Sequence, residues 1–280
     1  HLLSRRQRQM CIRDRTGVKI DITDENAKDI AVAKGEIEFD HVSFAYPEAG
    51  ENVLTDISFK AKKGQTIAVI GSTGSGKSTL INLIPRYYDV TKGSVKVDGV
   101  DVRDMTQKEL RDKLGYVPQK GVLFSGTIDS NIRYGKPEIT DAQVKEAAEV
   151  AQATEFIDTK PEKYESPVSQ GGTNVSGGQK QRLSIARAIA KDPEIFIFDD
   201  SFSALDFKTD SQLRKALKEY TKDATTVIVA QRISTILGAD QIIVLDDGHM
   251  AGIGTHKELM ANCEVYQQIA RSQLSEEELA

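Results

Sequence analysis

Residues 71–78 read GSTGSGKS, a run that restricts the folds open to this chain more than any other segment. It matches the pattern G-x-x-x-x-G-K-[ST], in which a glycine-rich turn joins a buried strand to a helix. The apolar run TIAVI at residues 66–70 supplies the strand, and residues 77–88 favour the helix. Because the turn and the start of the helix present backbone N–H groups to anionic oxygens, this order predicts a phosphate-binding loop.

The residue types in this loop each have a role in nucleotide chemistry. Glycines permit the tight turn, Lys77 is expected to reach the β- and γ-phosphates, and Ser78 is expected to ligate Mg²⁺. The predicted nucleotide contacts are Gly71, Ser72, Thr73, Gly74, Ser75, Gly76, Lys77, Ser78 and Thr79. By itself the motif indicates only a P-loop nucleotide enzyme, since kinases, GTPases and many ATPases share it.

Buried strands and helices alternate along much of the chain. The runs IFIF at residues 195–198 and TTVIVA at residues 225–230 are apolar like the strand before the loop. Helices are predicted at residues 177–190 and 206–220. This alternation predicts an α/β fold whose core is a mostly parallel sheet covered on both faces. The phosphate loop adds that the fold is of the P-loop NTPase type.

Two smaller units are predicted beside this core. Residues 35–46 and 54–59 alternate apolar and polar side chains, which indicates an antiparallel β subdomain. The interval from about residue 103 to residue 190 is richer in helix, and a helical subdomain is expected there. Near the C-terminus, residues 241–253 are predicted to form a hairpin.

Composition argues against several functional classes. The chain has 280 residues and a net charge of −5 without a long basic face, so nucleic acid is not an expected partner. Cys11 and Cys263 match no disulfide or zinc spacing and are interpreted as ordinary thiols. No apolar run approaches the roughly 18–20 residues that span a bilayer, so membrane association is expected to come from another segment or chain.

Residues 174–182, NVSGGQKQR, contain a second candidate for anion binding. Ser176 suits the N-cap of the following helix, and Gly177 and Gly178 expose backbone N–H groups at its start. A plain capped helix after a glycine-rich turn would show the same local pattern. This block therefore needs its context to be interpreted.

The motifs together resemble the nucleotide-binding domains of ABC transporters over residues 34–275. The run VSGGQ is similar to the family signature LSGGQ, with Val175 in place of leucine. The resemblance implies a dimer of two such domains, each ATP lying between the P-loop of one and the signature of the other. The predicted contacts to the partner's ATP are Ser176, Gly177, Gly178 and Gln179.

The resemblance also implies roles for residues outside the two glycine-rich segments. Tyr46 is expected to stack on adenine, Gln119 to touch Mg²⁺ and sense a transmembrane domain, and Asp199 to hold Mg²⁺. Residues 203–206, SALD, match the D-loop of the family. The implied cofactors are ATP and Mg²⁺, and the implied reaction is ATP hydrolysis.

Two segments resemble the exporter type, in which the domain follows a six-helix membrane domain that this sequence lacks: VSFAYP at residues 42–47 and VLFSGTIDSNI at residues 122–132. Residues 166–172 lie where exporters carry a segment facing that membrane domain. The expected location is the cytoplasmic face of a membrane, a bacterial inner membrane in particular. The expected organisation is a non-native or disordered tail at residues 1–15, a linker at 16–33, the nucleotide-binding domain at 34–275 and a C-terminal tail at 276–280.

Two positions depart from the family pattern, and both are candidate catalytic residues with Gln119. Asp200 replaces the glutamate that orients the attacking water, and Gln231 replaces the switch-loop histidine. A shorter carboxylate places that water less well, and glutamine cannot exchange protons near neutral pH. The hypothesis is a heterodimeric exporter in which this chain has the degenerate ATP site and its signature completes the partner's competent site.

Four alternatives remain at this point. The chain could belong to a homodimeric exporter with a slow Asp200 and Gln231 site, or to a soluble ABC ATPase that moves no substrate. An importer subunit is disfavoured by the exporter-like segments. A nucleotide-gated dimerisation module with negligible catalysis would fit a disabled site.

Overall fold

The computed structural model describes residue 24, residues 35–47 and residues 50–274. The predicted tails at residues 1–15 and 276–280 lie outside the described residues, as do Cys11 and all of the predicted linker except residue 24. The described strands are β1 (Ile37–Phe44), β2 (Leu54–Ala61), β3 (Thr66–Gly71), β4 (Lys92–Val97), β5 (Val100–Asp101), β6 (Leu114–Val117), β7 (Gly126–Thr127), β8 (Pro167–Val168), β9 (Ile195–Asp199), β10 (Thr225–Val229), β11 (Gln241–Asp246) and β12 (His249–Gly254).

The α-helices of the described residues are mostly short, and several begin with a capping side chain. Thr106, Thr127, Thr140, Ser176 and Thr255 each start a helix with a capping box. The helices are α1 (Lys77–Leu83), α2 (Gln107–Asp112), α3 (Ile128–Ile132), α4 (Asp141–Val150), α5 (Thr154–Asp158), α6 (Gly177–Ala190), α7 (Phe207–Tyr220), α8 (His256–Asn262) and α9 (Glu264–Arg271).

The central sheet has six strands in the order β12-β11-β3-β10-β9-β6. The strands from β11 to β6 pair in parallel, and β12 pairs with β11 in antiparallel orientation. All five residues of β9 are buried, as expected for a parallel strand covered on both faces. The predicted α/β class with a mostly parallel core is confirmed.

A second sheet of four strands, β2-β1-β4-β5, is antiparallel throughout. Its buried side chains, such as Ile37 and Val95, share one core with Ile197 of β9 and Leu80 of α1. The predicted antiparallel subdomain is therefore confirmed, and it packs directly on the face of the central sheet that carries α1.

The interval 103–190 contains α2–α6, as predicted, and a second core beneath α6 includes Leu183, Ile132 and Ala147. The strand β6 also lies in this interval, but it belongs to the central sheet, where it pairs with β9. Its apolar residues Leu114 and Val117 are buried in the cores on either side of that sheet.

Helix α1 is shorter than predicted. It ends at Leu83, and residues 84–88 are turns and bends, so the predicted helix over residues 77–88 is wrong beyond residue 83. Pro85 has no N–H group to continue the helical ladder, and its ring clashes with the preceding turn. The chain reverses at Arg86, which has a φ of 53° and whose N–H donates to the Leu83 carbonyl at 3.1 Å.

The C-terminal helices cover the other face of the central sheet. Tyr266 and Ala270 of α9 are fully buried in a third core with Ala68 of β3 and Val244 of β11. Cys263 lies in the same core, and its Sγ donates to the Ala251 carbonyl at 3.7 Å. In the part of the chain that the structure describes, no helix is both long and apolar enough to cross a bilayer.

Candidate functional site

The candidate site lies at the carboxyl edge of the central sheet. The strands β3, β9 and β10 are parallel neighbours, so the loops that follow them meet at this edge. A cavity of about 500 Å³ is found there. Its lining includes most of the phosphate loop and, from the other loops, Gln119, Asp199, Asp200 and Gln231.

The phosphate loop is packed against the chain around it. The Ser75 N–H donates to the Ser72 carbonyl at 3.2 Å, and Gly76 has a φ of 97° at the N-cap of α1. Ser75 is only 2% exposed and does not line the cavity, whereas the other predicted loop residues do. The backbone hydrogen bond between Ser75 and Ser72 therefore helps to hold the loop, and Ser75 is buried beneath it.

Gly71→Ala is expected to destabilise the domain by about 2–3 kcal/mol, the cost of overpacking a tight contact. A Cβ at Gly71 would lie 2.1 Å from the Leu245 carbonyl oxygen, which belongs to the neighbouring strand. Urea unfolding measures the effect. Gly50→Ala is the matched control, because a Cβ there meets nothing within 4 Å. Equal unfolding midpoints for the two variants would contradict the close approach.

Lys77 places its ammonium inside the phosphate loop. Its Nζ donates to the Gly71 carbonyl at 2.8 Å and to the Ser72 carbonyl at 2.6 Å. Burial lowers the pKa of Lys77, while the nearby charges of Asp200 and Asp199 act in the opposite direction. A nucleotide phosphate would provide a further negative partner for this cation.

Ser78 and Asp199 form a pair of oxygen donors across the cavity. The Ser78 hydroxyl donates to Oδ1 of Asp199 at 3.0 Å, and Asp199 is 8% exposed. Burial raises the pKa of Asp199, and the negative charge of Asp200 adds to this. A divalent cation would offset both effects, and hydroxyl and carboxylate oxygens are the donors that Mg²⁺ prefers.

Asp200 is held by two side-chain amides. Gln231 Nε2 donates to Oδ2 of Asp200 at 2.7 Å, and Gln119 Nε2 donates to the same oxygen at 3.2 Å. The Asp200 N–H also donates to the Val229 carbonyl at 3.0 Å, and its φ is 45°. The three predicted catalytic residues are thus brought together, although they lie on three separate loops.

Tyr46 lies beside the phosphate-loop helix but does not line the cavity. Its hydroxyl is 2.9 Å from Oγ1 of Thr79. Its ring packs edge-on against Phe44 and Tyr88, at centroid distances of 4.9 and 5.1 Å. The structure therefore places the aromatic ring next to the loop, and stacking on adenine stays a prediction.

The signature segment lies apart from the cavity around the phosphate loop. Ser176 caps α6: its Oγ accepts from the Gln179 N–H at 3.3 Å, and Gln179 Oε1 accepts from the Ser176 N–H at 3.1 Å. Ser176 and Gly177 are exposed, and no residue of the segment lines the cavity. A Cβ at Gly178 would lie 3.4 Å from the Ala204 carbonyl, which places the signature beside the D-loop.

Residues from the C-terminal end of the chain complete the cavity wall. Ile269, Ser272 and Gln273 line it, and none of them was predicted from the sequence. They belong to no nucleotide motif, and the amphipathic pattern of α9 indicates only packing. Their position became evident only from the docking of α9 on the central sheet.

A glycine-rich loop between a strand and a helix, with an acidic residue and a hydroxyl facing it, defines a P-loop nucleotide-binding domain. Residues 54–203 match the family model described as "ABC transporter". This is more than half of the chain, so the chain belongs to the ABC transporter family and is an ATPase domain of that family.

Two curated relatives, both from Staphylococcus aureus, are described as candidate multidrug export ATP-binding/permease proteins. The protein of strain NCTC 8325 / PS 47 is 46% identical over 243 residues, 87% of this chain and 42% of its own length. That of strain bovine RF122 / ET3-1 is 45% identical with the same coverage. The chain therefore spans less than half the length of these relatives.

A solved structure shows the same architecture. The structure of a bacterial Atm1-family ABC exporter with ATP bound has a TM-score of 0.88 and 36% identity to this chain. The match covers 96% of this chain and 47% of that exporter chain. Fold and sequence thus agree on the family.

Proposed function

We propose that this domain binds and hydrolyses ATP to power export of a substrate across a membrane, through ATP-driven dimerisation with a second such domain. The observation that carries the proposal is the separation of the two glycine-rich segments. The phosphate loop lines a cavity, whereas Ser176 and Gly177 are exposed at the start of α6, outside that cavity. In a dimer, the signature of a second domain would complete the ATP site at this phosphate loop, and the signature of this chain would complete the site of the second domain.

Mg²⁺ is proposed to bind with ATP at Ser78 and Asp199, with Gln119 close by. Their donor oxygens already face one another, and the raised pKa of Asp199 reflects a buried carboxylate that a cation would stabilise. When bound, the ion would neutralise charge on the phosphates. Lys77 would hold the phosphates from the loop side.

The ATP site on this chain's own phosphate loop is proposed to be degenerate. Asp200 is one methylene shorter than glutamate, and its Oδ2 accepts hydrogen bonds from both Gln231 and Gln119. A carboxylate displaced by about 1 Å from the attacking water can cost on the order of 100-fold in rate. The signature carries the complete capping box of Ser176 and Gln179. In the proposed heterodimer this signature completes the partner's competent ATP site. The partner is therefore proposed to have glutamate and histidine at the positions that match Asp200 and Gln231.

A membrane domain is the second proposed partner, and an exposed apolar patch supports it. Phe124 and Tyr134 stack at a centroid distance of 4.1 Å and are 40% and 55% exposed. The adjoining strands β7 and β8 pair Gly126 with Val168, which brings the exporter-like segment 122–132 and the segment 166–172 together on one surface. Docking on this surface would place the domain at the cytoplasmic face of the membrane.

The proposal predicts a difference in ATP turnover between the full-length protein alone and its mixture with a half-transporter that has the glutamate and histidine. Turnover is expected to rise at least tenfold in the mixture, since a positioned general base contributes about 100-fold or more. A steady-state phosphate-release assay measures it. Turnover by the protein alone at the rate of the mixture would instead support a homodimer.

The homodimer with a slow site is the second candidate, and one observation favours it. Asp200 still lines the cavity and remains within hydrogen-bonding distance of both amides, so its carboxylate is present where a base would act. The two candidates differ in what the Asp200 carboxylate contributes to turnover.

A further inference from the structure

We propose that Gln273, just after α9, is a positioning residue for Gln231. The inference rests on the proposed function and adds to it that the Gln231 side chain, which lines the cavity, donates a hydrogen bond to the γ-phosphate of ATP. Gln273 would act through the backbone of the loop after β10, by keeping the Gln231 side chain directed into the cavity.

Two hydrogen bonds carry the proposal. Gln273 Oε1 accepts from the Ile233 N–H at 2.9 Å, and Gln273 Nε2 donates to the Gln231 carbonyl at 2.8 Å. One carboxamide therefore holds the peptide groups on both sides of Arg232. Because a carboxamide offers an acceptor and a donor in one plane, it suits this pair of backbone groups better than a hydroxyl or a carboxylate.

Gln273 can hold the loop because α9 and the loop after β10 are anchored in the same core. Tyr266 and Ala270 of α9 are fully buried, and Ile233 and Ile236 of the loop are 0% and 1% exposed in the same cluster. The C-terminal helix and the loop after β10 therefore pack as one unit, with the Gln273 bonds at its surface end.

These contacts form a continuous connection to the reactive part of the cavity. The Gln273 bond fixes the backbone of Gln231, and the Gln231 side chain donates to Oδ2 of Asp200 at 2.7 Å. Loss of the Gln273 bonds would leave the Gln231 side chain with more conformations, which weakens a contact that depends on its orientation. The contact of Gln231 with the γ-phosphate, which ADP lacks, would be weakened most.

The test compares MgATP and MgADP affinity in the full-length protein carrying Gln273→Ala. We expect the ATP-over-ADP preference to fall about threefold to tenfold, the range that one or two net hydrogen bonds supply, with MgADP affinity unchanged. Gln268→Ala is the matched control, since Gln268 is exposed on α9, does not line the cavity and has a side-chain hydrogen bond to Glu264 at 3.5 Å. An unchanged preference in Gln273→Ala would overturn the proposal.

A double variant separates positioning from direct contact, because Gln273 also lines the cavity. If Gln273 acts through Gln231, Gln231→Ala alone and the double variant with Gln273→Ala have the same ATP-over-ADP preference. Additive losses would mean that Gln273 touches the nucleotide independently, and would overturn the positioning role. A wild-type protein that fails to bind MgATP would instead defeat the proposed function itself.

Discussion

Lys77→Ala is expected to weaken MgATP binding by on the order of 100-fold, since hydrogen bonds to charged groups are the strongest side-chain contacts in such a site. The ammonium lies within the loop, 2.6 Å from the Ser72 carbonyl, and no other lysine or arginine lines the cavity among the described residues. Titration calorimetry with MgATP measures the loss. The comparison belongs in the full-length protein, where the domain has its natural neighbours.

Lys63→Ala is the control for this prediction. Lys63 is exposed in the turn after β2 and lies outside the cavity, so it removes the same charge without touching the loop. MgATP affinity is expected to stay at the wild-type value. If Lys77→Ala and Lys63→Ala bound MgATP equally well, the phosphate loop would not be the nucleotide site of this domain.

The double substitution Asp200→Glu with Gln231→His is expected to increase ATP turnover at this chain's own loop on the order of 100-fold, the usual contribution of a positioned general base. The longer carboxylate reaches further toward the attacking water, and histidine can exchange a proton near neutral pH. The measurement uses a heterodimer whose partner carries alanine at its own P-loop lysine, so that only this site can turn over.

Asp200→Asn as a single substitution, paired with the same alanine-carrying partner, distinguishes the two candidate functions. A degenerate site loses almost nothing when the carboxylate is replaced, because that carboxylate supports little turnover. A slow but working site loses nearly all of its activity. Wild-type turnover at ordinary transporter rates, abolished by Asp200→Asn, would refute the degenerate site and leave the homodimer.

Local patterns in the sequence predicted most of the elements because their causes are local. The helix α6 has the predicted bounds, residues 177–190. Its start is set locally, because Ser176 forms a capping box with Gln179 three residues later. The strand β9 was predicted from the apolar run IFIF, and all of its residues are buried. The end of α1 was missed, although Pro85 is a local signal against further helix.

The candidate site was predictable only where a motif lies in a continuous run. The phosphate loop follows from residues 71–78, because one stretch of backbone forms the whole cradle. The departures at Asp200 and Gln231 were identified by resemblance to a family. The hydrogen bond from Gln231 to Oδ2 of Asp200 was not predicted. Gln273 gave no signal at all, since its partners are Gln231 and Ile233, about forty positions away in the chain.

The sequence by itself determined the class of fold, the phosphate loop, the signature segment and the two unusual residues of the site. Periodicity, capping and loop motifs depend on neighbours a few positions apart, so they are visible in one dimension. Only the tertiary structure decided that three loops meet around Asp200, that the signature lies outside the cavity, and that Gln273 hydrogen-bonds to the backbone of the Gln231 loop. Those contacts arise when parallel strands and buried faces bring distant segments together, and no local pattern records which segments will meet.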